Sequence, residues 1–212
     1  MSLVVSDAEA KKAATYLEAH DKVLAPVIAE VGQCTIRPHK DYYKELVESI
    51  ISQQLSIKAA DAIEARFVAL FEGKFPAAKQ LLTTDVETLR SIGFSYAKGR
   101  YVLDLAQHIV DGKVKFDHLD GLSNREIIEE LTTVKGIGEW TVHMFLMFCM
   151  GRLDVLPHGD LGIKNGIRKL YGFTDSPTPQ QIIELAEKNH WHPYESIASW
   201  YVWQSLENTP SL

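Results

Sequence analysis

Apolar residues recur at three- and four-residue spacing along almost the whole chain. Ser6 can cap a first helix running to about His20, with Ala10, Ala13, Ala14 and Leu17 near helical spacing. A second short helix is expected over Asp21–Val31. Arg37-Pro38-His39-Lys40 breaks the pattern. Tyr42, Tyr43, Leu46, Val47, Ile50 and Ile51 then form one buried helix face. Ser56 can cap the next helix, whose apolar side includes Ile57, Ala60, Ile63, Phe67 and Leu70, with Gly73 at its end. Pro76 opens a short helix, and Thr84 or Asp85 another. A long helix spans about Ser95 to Val110 and stops at Gly112. Ser123 with Glu126 reads as a capping box. The alternation at Lys113-Val114-Lys115-Phe116 is short and isolated, so it reads as extended loop. The pattern predicts an all-α protein of roughly ten helices.

Composition leaves that picture standing. The 212 residues are 46% hydrophobic and 24% charged, ordinary for a folded domain. Thr141–Met150, the longest apolar candidate, is interrupted by His143 and far shorter than the ~20 residues of a spanning helix. The first residues have neither a basic region nor an apolar core of leader length, so the default expectation is cytoplasmic. Cys34 and Cys149 are too few for a disulfide scaffold or a four-cysteine iron–sulfur cluster. The net charge of −6 argues against a generally basic nucleic-acid binder, but a local basic face suffices for one short stretch of duplex.

The chemistry concentrates in Leu131–Phe145 and the segment after it. Gly136-Ile137-Gly138 lies between two helices. Its glycines permit a tight turn and close approach to another molecule. Amides at the start of the following helix can hold a phosphate oxygen, although a Gly-x-Gly turn is also a plain helix connection. Downstream, Pro157, Gly159 and Gly162 constrain a loop in which Asp160 opens a helix. An Asp at such a position often serves only as an N-cap.

Taken together, Gly136-Ile137-Gly138 and Leu156-Pro157-His158-Gly159-Asp160 resemble the helix-hairpin-helix–GPD superfamily of DNA glycosylases. The 3-methyladenine DNA glycosylase II branch is similar over Ser49–Ala60, Val134–Thr141, Gly159–Lys164 and Trp191–Tyr201. The likeness runs over roughly residues 38 to 206, in the compact form without an extra β-domain.

The resemblance implies a two-lobed helical bundle with the active-site cleft between the lobes. A wedge-loop lobe is expected at about 36–120 and the hairpin with the catalytic loop at 123–172. Segments 1–35 and 173–212 would complete the other lobe. By the same resemblance Asp160 is the catalytic carboxylate, and Gln54, with Leu55 beside it, is the wedge that fills the space of an extruded nucleotide. Trp140 lines the base pocket where bifunctional relatives carry a Lys, and Trp191 and Tyr194 reach that pocket or belong to the core. Lys135, Gly136, Gly138 and Lys164 contact the DNA backbone. Carbonyls of Thr132, Val134 and Ile137 suit a sodium or potassium ion; no other cofactor is implied. Lys58, Lys98, Arg100, Arg168 and Lys169 are further candidates for a DNA-facing surface.

The activity implied is monofunctional excision of alkylated bases from double-stranded DNA by a monomer, in the nucleoid of a bacterium or the nucleus of a eukaryote. Alternatives are the same fold acting on uracil, hypoxanthine or mismatched bases, and a non-catalytic DNA-binding module.

Overall fold

Side-chain caps decide where most of the helices start. The computed structural model describes residues 5–207, and residues 1–4 and 208–212 of the expected terminal segments lie outside them. Among the described residues the regular structure is helical, with no β-strand. Ser6 caps α1 (Asp7–His20), Ser56 caps α4 (Ile57–Leu70), Asp85 caps α6 (Val86–Ser91) and Ser95 caps α7 (Tyr96–Val110), each accepting from a backbone amide three residues on. Such a cap contributes typically ~1 kcal/mol. The expected capping box at Ser123 and Glu126 opens α8 (Asn124–Leu131). A second box, Thr178 with Gln181, opens α11 (Pro179–Lys188).

Two boundaries differ from the sequence reading. Helix α2 is Leu24–Val31 rather than starting at Asp21, because the Asp21 carboxylate accepts the amides of Val23 and Leu24 and acts as a cap. After Pro76, α5 is a single turn, Ala78–Leu81. The remaining helices are α3 (Tyr42–Ser52), α9 (Glu139–Met144), α10 (Leu161–Tyr171) and α12 (Glu195–Glu207). A π-helical turn, Phe145–Cys149, follows α9 directly. None of the helices is long and apolar enough to cross a membrane among the described residues.

The chain divides into two compact units: residues up to His39 with those from Leu146 onward, and Lys40–Phe145. Segment 123–172 is therefore divided at 145/146. The expected hairpin and the expected wedge loop lie in one unit, and the loop expected to be catalytic lies in the unit formed by residues 5–39 and those from 146 onward. In the Lys40–Phe145 unit the core is built on Leu46, Ile50, Phe67, Leu89, Leu105 and Leu131, all fully buried. Burial of each such side chain contributes about 1.5–3 kcal/mol. The other unit buries Leu17, Leu24, Ile163, Ile167, Trp191 and Tyr201. There α10 and α12 pack closely because Gly166 has no Cβ: one would lie 2.5 Å from a Val202 methyl and 2.9 Å from the Val202 carbonyl oxygen.

Candidate active site

Asp160 is the N-cap of α10, and its Oδ1 accepts the Ile163 amide at 2.8 Å. The same oxygen accepts the indole Nε1–H of Trp203, on α12, at 2.9 Å. Gly162 makes room for that contact. A Cβ there would lie 2.8 Å from the Trp203 ring and 3.0 Å from Asp160 Oδ1. Trp203 is backed by Phe148, with ring centroids 5.8 Å apart. The carboxylate is thus held by one backbone and one side-chain donor in a fixed orientation, only partly buried. Leu161 beside it is 70% exposed. Two donors on one oxygen aim a negative charge without consuming it, as stabilisation of a developing cation requires.

Sequence reasoning missed Trp203. On α12 apolar residues occur all round the helix, so periodicity does not single it out. The available signal was chemical: indole is a donor-only group that seeks an acceptor, and Gly162 two residues after Asp160 leaves room for a ring.

In the Lys40–Phe145 unit, the hairpin turn has Gly136 at φ +86°, left-handed backbone suited to glycine. A Cβ at Gly136 would sit 2.1 Å from the Tyr101 ring. The Lys135 amide donates to Asp104 Oδ2 at 2.8 Å, so α7 supports the turn from below. The Lys135 side chain is exposed, as are Gly138 and Glu139 at the head of α9. Of the carbonyls named as cation ligands, Thr132 belongs to the C-cap of α8, and Val134 accepts the Ile137 amide at 3.1 Å within the turn.

Trp140 projects from the first turn of α9 and is 51% exposed, although it is among the largest apolar side chains of the unit. It borders a depression of about 690 Å³ together with Ser49, Gln54, Ile57, Thr141 and Met144. Glu48 and Glu64 line the same depression. Burial, reinforced by the hydrogen bond and charge of Glu64, pushes Glu48 up to about 7 against the pull of Lys44. Gln54 is exposed at φ +57°, a left-handed conformation that non-glycine residues rarely hold. Leu55 and Ile57 beside it are 39% and 82% exposed. Large exposed apolar side chains crowding one loop mark a surface made for contact.

The structure corrects two assignments. Trp191 is completely buried, and its Nε1–H donates to Asp21 Oδ2 at 2.8 Å. Asp21 also accepts the Tyr171 hydroxyl and two amides. Trp191 is a core residue satisfied by a buried carboxylate, with no face open to a base. Tyr194 is 4% exposed and packs edge-on against Tyr16, which places it in the core as well. Lys98 is half-buried, and its Nζ donates to the Ile51 carbonyl at 2.8 Å. Lys164 lies on the first turn of α10, partly exposed.

Residues 47–190 match the family model described as HhH-GPD superfamily base excision DNA repair protein. The chain belongs to the HhH-GPD superfamily. Among its curated relatives is the alkylbase DNA glycosidase-like protein mag2 of Schizosaccharomyces pombe, 32% identical over 203 residues, covering 93% of this chain and 94% of that protein. The solved structure of the S. pombe 3-methyladenine DNA glycosylase Mag1 with abasic DNA superimposes with a TM-score of 0.81 at 34% identity, covering 95% of this chain and 99% of that one. A DNA-3-methyladenine glycosidase from Bacillus halodurans gives 0.83 at 35% identity, over 98% of this chain and 92% of that one. The matched range contains both Gly136-Ile137-Gly138 and the loop that ends at Asp160.

Proposed function

We propose that this HhH-GPD chain is a monofunctional DNA glycosylase that removes alkylated purines of the 3-methyladenine and 7-methylguanine type from double-stranded DNA. The observation that carries the reading is the pair of donors, Ile163 amide and Trp203 indole, that fixes the Asp160 carboxylate at the head of α10. The names of the Mag1 and B. halodurans relatives, and the abasic DNA bound by Mag1, support the substrate class.

The target atom lies inside the base stack, so the nucleotide is extruded at a cost of a few kcal/mol. Gln54 and Leu55 take the vacated space. The hairpin with Lys135 and Gly138, and Lys164 on α10, hold the backbone. The carbonyls of Thr132, Val134 and Ile137 would hold a monovalent cation, which would add positive charge to the hairpin. An N3- or N7-alkylated purine is cationic, and the Trp140 face attracts it by roughly 0.5–2 kcal/mol.

The C1′–N bond breaks with its electron pair leaving on the base, which departs neutral. The positive charge left on the sugar is met by Asp160. Water adds at C1′ and gives up its proton to the carboxylate or to solvent. Indole offers no amine for a Schiff base, so Trp140 limits the reaction to base release without strand nicking.

The test is base release from methylated duplex, with the products identified by mass. The wild-type chain is expected to release alkylpurines and leave the strand intact. Asp160→Asn keeps a side-chain acceptor for the Ile163 amide and so keeps its cap. It is expected to lose base release while retaining duplex affinity. Full activity in Asp160→Asn, or release of uracil or hypoxanthine alone by the wild type, overturns the reading.

A further inference from the structure

The wedge loop and the hairpin are joined by a side chain that neither motif uses. Gln53 donates its Nε2–H to the carbonyl of Gly136 at 2.8 Å, across 83 positions of sequence. Gln53 is the C-cap of α3, where the backbone leaves the helix at φ −46°, ψ 125°. Gln54 follows at once in the left-handed region at φ +57°. A non-glycine residue holds that conformation only where its surroundings over-determine it.

Those surroundings are visible. The Leu55 amide closes the turn onto the Ser52 carbonyl at 3.0 Å. Lys98 holds the carbonyl of Ile51, in the last turn of α3, at 2.8 Å. Tyr101 packs under Gly136, and Asp104 accepts the Lys135 amide. Lys98, Tyr101 and Asp104 recur every three residues on α7, so one helix face carries both the base of the wedge loop and the base of the hairpin. Gln53 is the direct tie between the two.

We propose that Gln53 is a positioning residue that couples the hairpin's hold on the DNA backbone to insertion of the Gln54 wedge. The inference rests on reading Gln54 as the wedge. A hairpin pressed against a phosphate fixes the Gly136 carbonyl. Through Nε2 it also fixes the turn in which Gln54 takes its left-handed conformation. Without the tie, the hairpin still binds the backbone but no longer orders the loop that must enter the stack. Gln53 touches neither base nor sugar in this role.

The probe is a duplex with a tetrahydrofuran abasic analogue and 2-aminopurine beside it, whose fluorescence rises when the wedge unstacks the probe. Gln53→Met keeps length and packing but has no donor, and Gln53→Ala removes the side chain. Both are expected to bind the duplex within about twofold of wild type while losing most of the fluorescence rise. Gln54→Ala serves as the wedge-less reference.

In single-turnover base release, both variants are expected to fall about 3- to 10-fold on a paired lesion, the effect of one hydrogen bond. They should recover on a mismatched lesion, which is already easy to extrude. Wild-type fluorescence with Gln53→Met overturns the proposal. So does a loss of duplex affinity and thermal stability in proportion to the loss of release, which marks a purely structural contact. A wild-type chain that unstacks the probe but releases no base sinks the glycosylase reading and leaves the coupling standing. A wild-type chain that unstacks nothing overturns the coupling.

Discussion

A single oxygen of Asp160 takes two donors, and in the proposed reaction it would serve both architecture and chemistry. Oδ1 takes the Ile163 amide, which starts α10, and the Trp203 indole, which sets the direction of the carboxylate. The two contacts can be separated. Trp203→Phe preserves a ring against Gly162 and Phe148 but deletes the N–H. A hydrogen bond to a charged group contributes ~1.5–3 kcal/mol, so if it acts on the transition state base release is expected to fall roughly 10- to 100-fold. The melting temperature should move little, because the cap remains. Single-turnover release beside a thermal melt checks this, and an unchanged rate would remove Trp203 from the site. The sequence makes Asp160 legible through its loop and its place before a helix. Its spacing does not single out Trp203, because contacts made across α10 and α12 depend on packing that no local periodicity records. Trp191 shows the converse. Its motif is prominent, yet the ring is spent on a buried acceptor, Asp21, that lies 170 positions away.

Between elements, glycine and carboxylate positions carry the constraints. Gly136 combines φ +86° with a Tyr101 ring where a Cβ would go. Gly136→Ala must therefore displace the α7 ring or the turn, and a destabilisation of about 1–3 kcal/mol in urea unfolding is expected from overpacking, with backbone strain added. Duplex affinity should drop with it. Stability and affinity both at wild-type level would show that the turn tolerates a side chain. The sequence shows both hairpin glycines but not which of them meets a ring.

Glu48 on α3 and Glu64 on α4 make a second constraint that the sequence hides, since helical spacing predicts each helix face but not the facing of two carboxylates. Glu48 keeps its proton up to about 7 in the folded chain, against the ordinary 4.5 expected when unfolded. The native state thus binds more protons between those values, so stability falls as pH rises from 4.5 through 7 and is flat above. Glu48→Gln removes that slope. It is expected to be more stable than wild type by on the order of 1 kcal/mol at pH 8, and to match it near pH 4.5. Parallel denaturant curves across the range decide it, and a wild-type slope unchanged in the variant rules out Glu48 as its source.

For the molecule as a whole, the proposed function requires a chain of net charge −6, with 22 basic and 28 acidic side chains, to engage a polyanion. Screening supplies a physical answer. At physiological ionic strength the Debye length is about 8 Å, so a carboxylate far from the bound backbone acts weakly on a phosphate, while a lysine in contact acts fully. Affinity then depends on the number of phosphates neutralised rather than on total charge, and each contact steepens the salt dependence by about 0.9 in log–log slope. Lys135 on the hairpin and Lys164 on the first turn of α10 are the side chains assigned to such contacts. Lys135→Ala and Lys164→Ala are each expected to flatten the slope by about one, and the double variant by about two, with the decrement independent of the lesion. Lys188→Ala, at the far end of α11, should leave the slope alone. Fluorescence anisotropy on an abasic duplex between 50 and 200 mM KCl, the range over which phosphate contacts dominate, reads all four. A slope that stays at the wild-type value in both single variants would mean that neither lysine meets a phosphate. The counterions would then have to be released by other basic side chains, with Lys58, Arg100, Arg168 and Lys169 the next candidates.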